Sequence, residues 1–261
     1  MGKNNLMKNI IDWRLFKLLL VASVVTTLMV IPYALTLISG STLVITPAIV
    51  IAQIIQSILL FSIAIFLGLY LIKRVGFGMP ILEGIVKGEK IDTKLRSILW
   101  PSISLGVLAS VLIILFSLLF GSLSIEILKA EITVPIWKSF LASFYGGIGE
   151  EIVMRLFFMT LIVWITYKIK KTSEGKPTIF GIWFAIIVVS ILFGLGHLPI
   201  TSGLIAITPL VVLRAILLNG IAGIFFGWLY WKKGLESAMI SHFSADISLH
   251  VILPLVISIF M

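Results

Sequence analysis

Seven apolar runs, each long enough to cross a bilayer, are the sequence feature that most constrains how this chain folds. A helix needs about 20 predominantly apolar residues to span the hydrocarbon core of a membrane. The runs are Leu18–Ile38, Val44–Ile72, Ile98–Phe120, Phe140–Tyr167, Thr178–Leu198, Leu204–Trp231 and Leu235–Met261. The sequence therefore predicts an all-α fold, a polytopic transmembrane helix bundle of 7–8 helices.

Composition excludes the main soluble classes of protein. Of the 261 residues, 60% are apolar and only 12% are charged, whereas a soluble domain carries about 25% charged residues. High hydrophobicity with little charge also excludes intrinsic disorder. The absence of cysteine rules out a disulfide scaffold, thiol catalysis, cysteine-ligated zinc and iron–sulfur clusters.

The positively charged residues are concentrated in the N-terminus and in alternate loops. The net charge is +9, and sixteen of the 20 basic residues lie in the N-terminus, the 73–97 and 168–177 loops and the 232–235 turn. The alternate loops, around 39–43, 121–139 and 199–203, hold only Lys129 and Lys138. This alternation is the positive-inside pattern. It predicts a multi-pass cell-membrane protein with a cytoplasmic N-terminus, and it explains the charge without a nucleic-acid partner.

Two segments before residue 136 shape the predicted organisation. The first apolar run follows Lys3, Lys8, Arg14 and Lys17, but it is longer than the apolar core of a signal peptide, so we interpret it as a retained helix. The polar insert 73–97 mixes glycine, proline and both charge signs, which favours an interfacial amphipathic segment or a loop. We expect one integral membrane domain, with residues 1–135 as N-terminal helices and polar loop, and residues 136–261 as a core built from the last four or five helices, which holds the motifs described below.

Charges inside the fourth apolar run indicate a functional site. A charged side chain at a helix centre costs about 2.5–3.5 kcal/mol on insertion scales, so such residues normally face a polar interior. Glu151 and Arg155 are four residues apart and share a helix face, so they can pair. Glu150 points about 100° away and is left as an extra carboxylate, which suits a general base.

Histidines and an aspartate in two other runs complete the polar set. His197 ends a glycine-rich stretch, FGLGH, and His242 and Asp246 are four residues apart, on one helix face. Two histidines, a glutamate and an aspartate from three spans can converge on a water molecule, which is hydrolytic chemistry. Glu150 and His197 would hold and deprotonate the water, and His242 and Asp246 would stabilise the oxyanion.

Three motifs in order resemble those of one family of membrane proteases. GEEIVMR matches EExxxR, FGLGH (Phe193 and His197) matches FxxxH, and HFSAD matches HxxxN/D. Over residues 140–250 the chain resembles the CPBP family of CAAX proteases and bacteriocin-processing enzymes, also called Abi proteins, which includes the type II CAAX prenyl endopeptidases.

The resemblance implies an intramembrane endopeptidase and assigns roles by position. Glu150 would be the catalytic glutamate, His197 would help to activate water, and His242 and Asp246 would form the oxyanion side. Glu151, Arg155 and Phe193 would be structural. A metal-dependent and a metal-independent mechanism are both proposed for the family. The candidate zinc ligands here are Glu150, His197 and His242, since two histidines and a glutamate bind zinc in soluble sites.

Three features complicate this interpretation. Asp246 stands where many relatives have asparagine, and an aspartate donates a hydrogen bond only when protonated. Its other roles would be to orient His242 or to contact a metal. His250 continues the face of His242 and Asp246, as a third ligand or as a hydrogen-bonding residue near the far interface. Arg214 would bind a substrate carboxylate or extend to the interface.

Topology sets a further condition. Counting single crossings places Glu150 and His197 near the outer end of the membrane and His242 toward the inner end. The three therefore meet only at mid-depth, or if the 199–231 segment is irregular. Its prolines and glycines predict a broken, short or re-entrant arrangement; they are Pro199, Gly203, Pro209, Gly220, Gly223 and Gly227.

Alternative functions remain at this point. A proton-coupled transporter also buries acids and histidines, but no inverted repeat is visible. A family member without catalysis would act in bacteriocin immunity or as a membrane scaffold. The predicted partners are the lipid bilayer and a peptide or prenylated protein substrate.

Overall fold

The computed structural model describes residues 11–38 and 46–260. Lys3, Lys8 and the predicted loop 39–43 lie outside the described residues. Regular structure is helical, and no β-strand occurs in the described ranges. The α-helices are α1 (Trp13–Ile38), α2 (Pro47–Val75), α3 (Pro80–Lys87), α4 (Asp92–Ser117), α5 (Ser122–Ile132), α6 (Ile136–Phe144), α7 (Thr160–Ile169), α8 (Ile179–Gly196), α9 (Leu198–Thr201), α10 (Pro209–Lys233), α11 (Leu235–Asp246) and α12 (Leu253–Phe260). A 3₁₀ turn, Leu118–Phe120, extends α4.

Seven helical stretches are long and apolar enough to cross a membrane. They are Trp13–Leu37, Pro47–Val75, Asp92–Phe120, Ile136–Ile169, Ile179–Thr201, Pro209–Lys233 and Leu235–Phe260. Each overlaps one of the apolar runs in the sequence. The predicted all-α polytopic bundle is confirmed, and the chain is a multi-pass membrane protein. The division at residue 135 and the cytoplasmic N-terminus stay predictions.

Helix starts follow local capping chemistry. Thr178 accepts the backbone N–H of Gly181 at 3.1 Å, and Thr208 accepts that of Val211 at 3.3 Å. These contacts satisfy N–H groups that a first helical turn leaves unpaired. Proline follows Thr208 directly, at a position where its missing N–H costs nothing. The capping threonines between the apolar runs therefore set where α8 and α10 begin.

The sequence predicts a broken, short or re-entrant arrangement over residues 199–231. This prediction is right for residues 199–208 and wrong for residues 209–231. The chain leaves α8, makes the four-residue α9 and a turn, and starts α10 at Pro209. From there α10 runs unbroken to Lys233. Gly223 and Gly227 do not interrupt it, because they lie against Ser190 and Ile186 of α8 and let the two helices approach closely.

The larger irregularity lies in the fourth and seventh spans, as π-helix. The segments are Tyr145–Glu150, Ile152–Met159 and Ile247–Ile252. Single π turns inside α-helices are found frequently at functional sites. The first ends at Glu150 and the second contains Arg155, with Glu151 between the two, and the third follows Asp246 directly.

The basic loops lie together at one end of the bundle. The short helix α3 lies there, within the 73–97 insert that the sequence predicts to be an interfacial amphipathic segment or a loop. The guanidinium of Arg14 donates to the carbonyl of Val86 at 3.5 Å. The N–H of Leu235 donates to the carbonyl of Gly78 at 3.1 Å. The start of α1, the α3 region and the turn before α11 are therefore joined at this end, hereafter the basic end.

Candidate active site

The structure brings the first and third motifs into contact. The Nε2 atom of His242 lies 3.7 Å from Oε2 of Glu150 and 3.6 Å from Oδ1 of Asp246. The His242 side chain is buried, whereas the Glu150 side chain keeps 26% of its surface exposed. The topological difficulty is therefore resolved, because Glu150 and His242 share one depth. Two carboxylates face one imidazole nitrogen inside the membrane bundle.

Glu151 orients the imidazole from its other side. Its Oε1 lies 2.8 Å from Nδ1 of His242, and both side chains are buried. An ionised carboxylate only accepts hydrogen bonds, so Nδ1 carries the proton. In the neutral ring Nε2 is an acceptor, whereas in the imidazolium it carries a proton toward Glu150 and Asp246. One predicted role of Asp246 is to orient His242. At Nδ1 it is Glu151 that makes this contact, whereas Asp246 lies near Nε2.

Arg155 holds Glu151 in place, as its predicted structural role requires. Its Nε lies 3.3 Å from Oε2 of Glu151, with both side chains essentially inaccessible to solvent. Its Nη2 donates to the carbonyl of Gly223 at 3.1 Å, which links the fourth span to α10. The guanidinium also lies over the rings of Phe193 and Phe226, at 5.3 and 5.5 Å from their centroids.

Aromatic rings pack around both histidines. Phe226 stacks on His242 with ring centroids 4.5 Å apart. Phe193 meets His242 edge-on at 5.4 Å and meets His197 edge-on at 4.8 Å. The ring of Phe193 thus contacts both histidines, which gives it a positioning role beside the polar groups.

His197 is held in one tautomer by its own helix. Its Nδ1 lies 2.8 Å from the carbonyl oxygen of Phe193. A carbonyl only accepts, so Nδ1 donates, and the neutral ring leaves Nε2 as an acceptor. His197 also interacts electrostatically with Asp246. The half-buried ring is therefore suited to take a proton near the site.

His250 and Arg214 have partners other than the catalytic groups. Nδ1 of His250 lies 3.8 Å from Oε2 of Glu131, and Nε of Arg214 donates to Oγ of Ser124 at 3.0 Å. His250 thus faces Glu131 across the bundle. Of its predicted roles, this contact favours the one near the far interface.

The candidate metal ligands do not form a ready-made metal site. Among the described residues, no three Asp, Glu or His side chains are grouped so that they could hold a metal ion. Glu151 occupies Nδ1 of His242, and a backbone carbonyl occupies Nδ1 of His197. We therefore assign no step to a metal. The zinc ligation by Glu150, His197 and His242 stays a prediction.

Two close contacts in the site were not predicted from the amino-acid sequence. Spacing along one helix pairs Glu151 with Arg155, but no local pattern reveals that Glu151 also reaches His242 from another span. The second is Gly146, whose α-carbon lies against Asp246 and His242. A Cβ built there would clash with Oδ2 of Asp246 and would lie 3.1 Å from Nε2 of His242. The run of glycines before Glu150 is the signal for this close approach.

Replacing Gly146 with alanine should therefore displace Asp246 and His242. We expect cleavage activity to fall at least about tenfold, because ångström-scale misplacement of catalytic groups costs up to about 100-fold in rate. Gly220→Ala is the matched control: it adds the same methyl group to a membrane helix, but its Cβ meets only the Ser190 carbonyl oxygen at 4.0 Å. Equal activity of the two variants would contradict the close packing at Gly146. Initial rates on one peptide substrate provide the measurement.

Comparison with known proteins supports the motif assignment. No curated protein and no solved structure gave a significant match to the chain. A family model, described as type II CAAX prenyl endopeptidase Rce1-like, matches residues 131–248. The matched segment contains every residue of the three motifs. Residues 131–248, a little under half of the chain, are therefore similar to the type II CAAX prenyl endopeptidase Rce1-like family.

Proposed function

We propose that the protein is an intramembrane endopeptidase that hydrolyses a peptide bond of a membrane-associated substrate, such as a prenylated CAAX C-terminus. The observation that carries the proposal is the convergence of Glu150 and Asp246 on Nε2 of His242. The spans that supply these groups are otherwise apolar. Burying the carboxylates of Glu150, Glu151 and Asp246 there costs free energy, and ionisable groups inside a membrane normally mark a functional site. The similarity of residues 131–248 to the type II CAAX prenyl endopeptidase Rce1-like family supports a peptidase.

Glu150 and His197 would activate the attacking water. The carboxylate of Glu150 is not taken up by Arg155, which pairs with Glu151, so it is available as a proton acceptor. As the water oxygen bonds to the scissile carbonyl carbon, one water proton passes to Glu150. His197, with Nε2 free to accept, would hold the same water or receive its proton. A positioned general base of this kind contributes about 100- to 10,000-fold in rate.

His242 would stabilise the tetrahedral oxyanion. Water attack moves the carbonyl π electrons onto oxygen, and a donor is needed where that charge develops. With Nδ1–H held by Glu151, a second proton on Nε2 gives an imidazolium whose Nε2–H points into the site. Asp246 would hold that proton or, when itself protonated, donate beside it. Collapse of the intermediate breaks the C–N bond, and the leaving amine takes a proton from Glu150.

Peptide cleavage by the purified protein tests this function. In detergent or proteoliposomes, we expect cleavage of a prenylated peptide ending in a CAAX sequence, and slower cleavage of the same peptide without its prenyl group. Each reaction is run with and without a zinc chelator. Loss of activity with chelator and its return with added zinc would show that a metal is required.

Two outcomes would count against the proposal. If no peptide of the panel is cleaved while the protein remains folded, the chain is not a peptidase toward this substrate class. If unprenylated peptides are cleaved equally well, the proposed substrate class is wrong although the peptidase assignment survives.

A further inference from the structure

A second cluster of titratable side chains lies outside the three motifs, toward the end of the bundle opposite the basic end. Its members are Tyr33, Glu131 and His250. Tyr33 lies in the last turns of α1, Glu131 is the penultimate residue of α5, and His250 lies in the π segment that follows α11. No motif spacing accounts for them, because they come from three separate helices.

The cluster is continuous with the active site. The His250 and Glu131 side chains approach to 3.8 Å, and the Tyr33 ring meets the His250 ring edge-on, with centroids 6.4 Å apart. Tyr33 interacts electrostatically with both Glu131 and Asp246, and His250 interacts with Asp246. A chain of polar groups therefore runs from Glu131 to the carboxylate beside His242.

The ionisable side chains along this chain of groups are all partly exposed. The side chain of Asp246 is 17% exposed, while those of Glu131 and His250 are 26% and 32% exposed. In a membrane-spanning bundle, partly exposed ionisable groups are expected to face an aqueous cavity or one another rather than lipid.

His250 adds an independent sign of water. Its Nδ1 is buried and has no hydrogen-bond partner among the described residues, and its 3.8 Å separation from Glu131 is too long for a direct hydrogen bond. Polar groups at such a separation are commonly bridged by water. The π segment Ile247–Ile252 also changes the helical register between Asp246 and His250.

We propose that Tyr33, Glu131 and His250 line a hydrated passage that connects Asp246 with the end of the bundle opposite the basic loops. The water consumed at the site reaches it by this passage. The passage itself is independent of the proposed peptidase activity, whereas its use as a water supply rests on that activity. Arg214 lies near its outer part, since it interacts electrostatically with Glu131.

Thiol labelling tests the passage without any assay of cleavage. The chain has no cysteine, so His250→Cys introduces a single reactive group. The probe is a methanethiosulfonate with a quaternary ammonium, which does not cross lipid and reacts with thiolate in water. Ile252→Cys is the matched control: Ile252 is 50% exposed, lies two residues away and points to nearly the opposite face, toward lipid. We expect His250→Cys to react at least about tenfold faster.

Sidedness completes the test. Ser173→Cys, in the exposed loop of the basic end, marks that side in oriented proteoliposomes. His250→Cys should be labelled by probe added to the other side. Equal rates for the 250 and 252 variants, or labelling only from the side that labels Ser173→Cys, would overturn the passage. Glu131→Cys repeats the comparison on a second helix should His250→Cys not fold.

The water-supply role has its own readout. Once a peptide substrate is found, complete labelling of His250→Cys should lower its turnover at least about tenfold, and labelling Ile252→Cys should not. Unchanged turnover after complete labelling would overturn the role while leaving the passage intact. Labelling as expected in a protein that cleaves no peptide would instead remove the proposed function and keep the passage.

Discussion

Replacing Glu150 with glutamine is expected to lower kcat for peptide cleavage by about 100- to 10,000-fold. Glutamine has nearly the same shape but cannot take a proton from water. The substitution leaves the buried ion pair of Glu151 and Arg155 in place, so the fold should persist. Single-turnover cleavage rates measure the effect, and thermal unfolding in detergent confirms that the variant is folded.

Glu174→Gln is the matched control for that experiment. Glu174 lies in the 170–178 loop, outside the three motifs, with a highly exposed side chain paired with Lys176 at 3.1 Å. The same chemical change there should leave kcat unaltered. If Glu150→Gln retained cleavage within about threefold of the parent protein, Glu150 would not be the general base. A scaffold or immunity role, by contrast, would survive the substitution unchanged.

Replacing Arg155 with methionine is expected to lower the free energy of unfolding by about 3–5 kcal/mol, the range for breaking a buried ion pair by removing one partner. The variant leaves the Glu151 carboxylate buried without its cation, and it loses the hydrogen bond to the Gly223 carbonyl. The guanidinium contacts with Phe193 and Phe226 are lost as well. Reversible denaturation in mixed micelles provides the measurement.

Two further variants separate the causes of that loss. Arg96→Met makes the same change at an exposed position of α4, where surface substitutions usually stay within about 0.5 kcal/mol. Adding Glu151→Gln to Arg155→Met removes the stranded charge, so the double variant should regain part of the stability. A double variant no more stable than Arg155→Met would show that the uncompensated carboxylate is not the source of the loss.

The fold was predictable because its signals are local. Each membrane span is a continuous apolar run, and threonine or proline between the runs marks where α8 and α10 begin. The motif residues were identifiable for the same kind of reason, since a charge inside an apolar run is costly and therefore conspicuous.

What the sequence did not reveal depends on contacts between spans. Glu151 has an obvious helical neighbour in Arg155, and nothing in the spacing shows that it also binds Nδ1 of His242. The glycines of α10 predicted a break, but they serve close packing against α8. The π segments are equally hidden, because the residues that form them are also compatible with an ordinary α-helix.

The depth of His242 has a consequence for the length of the substrate. His242 lies seven residues beyond Leu235, the first residue of α11, so it sits about 10 Å from the basic end at 1.5 Å per residue. An extended peptide advances about 3.3 Å per residue. A substrate anchored at that surface thus needs about three residues to bring a peptide bond to Glu150. In the proposed peptidase, the depth of the site would thus set the number of residues between the membrane anchor of the substrate and the bond that is cut.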